Sequence, residues 1–168
     1  MKRTVLFLIA LTVLVVSSSA FAATATAPLA ISANVAANCT ITTSAVAFGA
    51  YDPLVANATA ATPLDAAGAV NVACTRGATG LRIDLNTGSN PLAGARRMNL
   101  GVTEFLTYEL YTDPTRTTVW GSGAVAGLAI ADAPSKAVRS FPVYGRVPGA
   151  QDPAIGAYGD TVTATINF

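Results

Sequence analysis

The chain has 168 residues, 52% of them hydrophobic and only 11% charged, with no histidine and a formal net charge of +1. So few charges exclude a nucleic-acid binder built on a basic field and a disordered polyelectrolyte. The missing histidine and the acids scattered singly from Asp52 to Asp160 argue against an acid-base enzyme and leave no catalytic residue to name.

The first element is a leader. Lys2 and Arg3 precede an apolar run from Val5 to Val16, and small residues follow to Ala20-Phe21-Ala22, the pattern of a secretory signal with cleavage after Ala22. A membrane anchor is the alternative, but the run is short of the ~20 residues a bilayer requires. Loss of residues 1–22 leaves 146 residues, enough for one domain and one core, with no membrane span. It also removes two of the ten basic residues, so eight face nine acids and the exported chain carries a net charge of −1.

"PLAISANVAANC" (28–39) follows, with Leu29, Ile31, Ala33 and Val35 on one side of an extended chain. It reads as a strand whose apolar face must find cover. Cys39 and Cys74 are the only cysteines. In an exported protein they read as one disulfide, since zinc needs four ligands and there is neither histidine nor a C-x-x-C pair. No metal or cofactor is expected.

Short alternating runs continue at 39–48, 69–74, 80–86 and 105–113, with a turn and loop through "DLNTGSNPLAG". Shorter pieces lie around Val119-Trp120, Val125 to Ile130 and Val138 to Val147. The final run, "GDTVTATINF", sets Val162, Ala164, Ile166 and Phe168 against Thr161, Thr163, Thr165 and Asn167. Turn residues separate all of these and no helical period intervenes, so the expected fold is all-β, a two-sheet sandwich with strand-like ends.

Several tempting motifs carry little. "GSGAVAG" (121–127) has the wrong spacing for a dinucleotide loop and reads as a flexible connection. Arg96-Arg97 reads as solvated surface charge. Tyr108, Tyr111, Trp120 and Tyr144 read as packing aromatics rather than a sugar platform. Asn38 and Asn57 begin glycosylation sequons that matter only in a host with that machinery.

Taken together, "NCTITTSAVAFGAYDP", "NVACTRG", "LTYELYTD", "VYGRVP" and "GAYGDTVTATINF" resemble the spore coat U family, which includes the pilins of archaic, Csu-type chaperone-usher fimbriae. The resemblance runs through nearly the whole exported chain. It implies an incomplete immunoglobulin-like β-sandwich whose open groove is filled first by a strand from a periplasmic chaperone. At an outer-membrane usher, the N-terminal extension of a neighbouring pilin subunit then takes that place by donor-strand exchange, giving a head-to-tail polymer on the cell surface. On this reading residues 1–22 are the signal peptide, 23–36 the donor extension and 37–168 the sandwich domain. Leu29, Ile31, Ala33 and Val35 would fill the groove, and Val162, Ala164, Ile166 and Phe168 of the last strand would border it. Pro28 limits pairing on its N-terminal side, because it has no N–H for a ladder. Ala33 is smaller than the bulky aliphatic such a donor strand would use, a departure from the pattern the resemblance implies.

The implied function is a structural fimbrial subunit supporting adhesion and biofilm formation. A secreted spore-coat or matrix component made without an usher is the alternative, a carbohydrate-binding module a more distant one, and a hydrolase more distant still.

Overall fold

The computed structural model describes residues 22–168, so the leader apart from its last residue lies outside the described residues. The chain divides between Asn34 and Val35 into two units. Residues 22–34 contain no helix or strand and their side chains are exposed.

The second unit, Val35–Phe168, holds eight strands: β1 (Cys39–Ser44), β2 (Leu64–Cys74), β3 (Arg82–Leu85), β4 (Arg96–Leu100), β5 (Glu104–Tyr111), β6 (Leu128–Ala129), β7 (Arg139–Val147) and β8 (Ala164–Asn167). One helical turn, α1 (Gly123–Ala126), precedes β6. The strands form a five-stranded sheet in the order β1-β2-β7-β5-β4 and a three-stranded sheet in the order β6-β3-β8, and every pairing is antiparallel. Alternation explains the layering: β2 buries Val70, Val72 and Cys74, β3 buries Ile83 and Leu85, and β5 buries Leu106, Tyr108 and Leu110. Trp120 closes the core, fully buried, with its indole N–H donating to the Ile83 carbonyl at 2.9 Å.

Cys39 and Cys74 are register partners at the end of the β1–β2 ladder and are joined by a disulfide. Pro142 lies in the long strand β7, opposite Ala69. It is tolerated because β5 covers β7 only from Tyr144 to Arg146, so at Pro142 the strand has a partner on one side alone.

Several expectations are corrected. Residues 28–38 are extended in pattern but form no strand; the first ladder begins at Cys39. Alternation supplies an apolar face but not the second chain to which backbone N–H and C=O groups must bond. β2 starts at Leu64 rather than Ala69, because its first half pairs with β7 instead of β1. The segment 121–127, read as a loop, contains α1. Regular pairing in the last run is confined to Ala164–Asn167. Asn57 of the second sequon is buried and its amide donates to the Thr62 carbonyl at 2.9 Å, an internal role its sequence context does not advertise.

Arg96 is the largest correction. It sits in β4, 2% exposed, not on a solvated loop. Its guanidinium donates to the carbonyls of Leu85 (3.2 Å), Asn86 (2.7 Å) and Trp120 (2.8 Å) and pairs with Glu109. A buried cation is tolerable only when its donors are satisfied in this way, and the result is a clamp tying the two sheets together. Arg97 is half-buried and stacks 3.9 Å from the Phe105 ring centroid.

Candidate functional site: an open groove between two strand edges

β1 and β8, each at the edge of a different sheet, run near one another. Beyond Ser44 the chain leaves β2. Gly68 permits that departure, since a Cβ there would stand 2.8 Å from the Ala45 carbonyl oxygen. Residues 45–51 then form one lip and residues 153–162 the other, and between them lies a groove of about 920 Å³. Its floor is the buried core itself: Val70, Leu106, Leu110 and Val143, none more than 5% exposed, line it, with Val46 and Phe48 on the first lip and Pro153 and Tyr158 on the second.

Backbone chemistry matches the apolar floor. Among the described residues, 45–50 make no backbone–backbone hydrogen bond, and β1 and β8 each have a strand neighbour on one side only. The arrangement therefore offers unpaired backbone edges above a strip of apolar side chains, which is what an added strand uses for affinity and for side-chain selection.

A polar link joins the floor of the groove to its second lip. Tyr108 on the floor donates to Asp160 Oδ2 on the second lip at 2.6 Å, and Asp160 Oδ1 accepts from the backbone N–H groups of Ser89 and Thr161, both at 2.8 Å. Burial first, and then the hydrogen bond to the Asp160 carboxylate and its charge, hold the Tyr108 hydroxyl far above its ordinary range, so it stays protonated and donating. On the first lip, the Tyr51 hydroxyl accepts from the Gln151 N–H at 2.9 Å and donates to the Pro148 carbonyl at 3.1 Å, fixing one end of the opening.

Of the residues singled out in the sequence, Val162 and Ala164 line the groove. Ile166 packs against the core further along β8, and Phe168 is 55% exposed outside the groove. Leu29, Ile31 and Val35 are 85%, 88% and 80% exposed, and Ala33 is exposed as well. Sequence reasoning missed Val46 and Phe48 as lip residues, Tyr108 as floor rather than ordinary core, and Asp160. The alternation of Val46 and Phe48 was visible, but nothing in it distinguishes a strand continuing its ladder from one that peels away.

The fold and the groove define a class: an antiparallel sandwich with its core open along one side. The Spore Coat Protein U domain model matches residues 25–165, and the chain belongs to that family. It is 40% identical over 166 residues to Protein U of Myxococcus xanthus, across 92% of this chain and 91% of that protein. Among solved structures, the fold is similar to a chain in the crystal structure of the CsuC–CsuE chaperone–tip adhesion subunit pre-assembly complex, from the archaic chaperone-usher Csu pili of Acinetobacter baumannii. The TM-score is 0.54, the identity 22% and the coverage 80% of this chain. This chain spans 40% of that chain's length, and the likeness is one of fold.

Proposed function

We propose that the protein is a structural pilin subunit of a surface fimbria. On this reading it is exported through the periplasm and held by a chaperone that lends a strand to the groove. Polymerisation follows at an outer-membrane usher, when residues 23–36 of a neighbouring subunit replace that strand. The observation that carries the reading is the groove itself, an apolar floor flanked by unpaired backbone edges. The exposed, alternating segment from Leu29 to Val35 has the side chains to fill such a space. Burying Leu29, Ile31 and Val35 contributes ~1.5 to 3 kcal/mol each, and each ladder hydrogen bond a net ~0.5 to 1.5 kcal/mol, before ordering costs.

Giving and receiving surfaces differ, so the contact is heterologous and repeats into an open fibre rather than a closed ring. Attachment to surfaces and biofilm formation are the roles such a fibre would serve. Family membership and the fold shared with a chain from a chaperone–subunit complex support this reading. It assigns the chain no catalytic step.

Deleting residues 23–35 while keeping the leader tests it. The truncated subunit is expected to remain bound to its chaperone yet fail to extend fibres, scored by electron microscopy of cell surfaces. Fibres of normal length would overturn the proposal.

The 40% identity to Protein U and the family's spore-coat description favour one second reading, a secreted coat component that uses the fold without an usher. Deleting the usher gene separates the two: surface display is lost if the chain is a pilin and kept if it is a coat protein.

A further inference from the structure

The floor of the groove is uneven. On β7 the inward positions flanking Gly145 are Val143 and Val147, both buried, while Gly145 itself has no side chain. A Cβ at 145 would stand 2.6 Å from Val46 Cγ1 and 2.7 Å from Phe48 Cζ, so these two lip side chains already fill the space that a larger residue would claim. The Phe48 ring packs edge-on against Tyr108, with centroids 6.0 Å apart. Tyr108 in turn reaches the opposite lip through its hydrogen bond to Asp160. Phe48, Tyr108 and Asp160 therefore form a bar of side chains crossing the groove. Ser89 and Thr161 hold Asp160 from behind, which fixes the far end of the bar.

Resting on the reading that residues 23–36 of a second copy fill this groove, we propose that the bar sets the register of the incoming strand by admitting only a small side chain, and that this side chain is Ala33. In the alternating set Leu29, Ile31, Ala33 and Val35, Ala33 alone is a single methyl group. Same-face neighbours on a strand stand about 6.6 Å apart, so Ala33 over the bar places Ile31 and Val35 on either side of it. A slip of two residues drives Ile31 or Val35 into Phe48 and Tyr108. A slip of one turns the apolar set away from the floor altogether. A larger group at position 33 must displace the Phe48 ring or break the Tyr108–Asp160 bond, which leaves a carboxylate short of a partner beneath an apolar strand. The bar is thus a specificity-determining feature that selects strands with one small residue among large ones.

Polymers of the full exported chain test the proposal through their dissociation rate in denaturant. Ala33 is exposed in the single chain, so Ala33→Leu leaves the receiving body intact. Ala33→Leu polymers are expected to fail to form or to dissociate about ten-fold faster, the scale of an overpacked contact, whereas Ala33→Gly stays within about three-fold of the parent. A compensating change reads the bar directly: Phe48→Ala in the receiving copy should relieve the defect of Ala33→Leu donors. Ala33→Leu polymers as durable as the parent, or an Ala33→Leu defect that Phe48→Ala does not relieve, would overturn the register while leaving the strand-donor reading in place. Polymers unaffected by loss of residues 23–35 would overturn both.

Discussion

Two side chains show how a single residue decides what this fold can do. Arg96 spends its donors on the carbonyls of Leu85, Asn86 and Trp120 and on Glu109, joining β4 of one sheet to the end of β3 in the other. Replacement by methionine fills similar volume but abandons those carbonyls and leaves Glu109 without its cation. Arg96→Met should therefore cost ~3 to 5 kcal/mol, read as a lower denaturant midpoint. Tyr108 acts on the alkaline side. Its hydroxyl titrates above the unfolded value in the native protein, so its contribution is fully present below about pH 10 and declines as pH rises further, where only the unfolded chain releases the proton. Tyr108→Phe should lose about 1.5 to 3 kcal/mol at neutral pH and show a flatter decline above pH 10, measured by denaturant titration across pH. Neither role was legible beforehand. The letters Arg-Arg in a glycine-rich stretch say nothing about three carbonyls that converge only after folding, and an alternating tyrosine looks the same whether it faces a closed core or an opening.

At the scale of elements, alternation made β3, β5, the second half of β2 and the body of β7 readable, because a period of two needs no knowledge of partners. What it could not supply was pairing. The segment 28–38 has the pattern of a strand and no ladder, and residues 45–51 leave β2 where the sequence continues without a break. Glycines mark those departures: Gly68 lets the end of β1 cross β2, and Gly145 makes room for Phe48. Gly145→Ala should push Phe48 toward the opening and lower stability by about 1 to 3 kcal/mol, with a matching change in the rate at which a strand peptide of residues 23–36 is bound. The disulfide fastens β1 to β2 over a separation of 35 residues. Reduction, or the paired change Cys39→Ser and Cys74→Ser, should cost ~3 to 4 kcal/mol in the chain-entropy account, followed by thermal unfolding with and without reductant.

For the molecule as a whole, the sandwich was foreseeable from many short strands and turn signals, whereas its open side was foreseeable only through the family resemblance, since strand patterns record the elements present and not one that is lacking. A version carrying a second copy of residues 23–36 after Phe168, joined by a short linker, should close its own groove. Burial of three aliphatic side chains predicts a rise of about 10 °C or more in the thermal midpoint, checked by calorimetry against the parent. An unchanged midpoint would count against complementarity of segment and groove. The position of the Cys39–Cys74 bond has a mechanical consequence. Only Ala36, Ala37 and Asn38 separate Val35 from the first bonded cysteine. Tension pulled along the leading segment therefore reaches a covalent rivet before it reaches any hydrogen bond of the β1–β2 ladder. Load is handed straight to β2, and β1 cannot be unzipped from the end at which it is tugged.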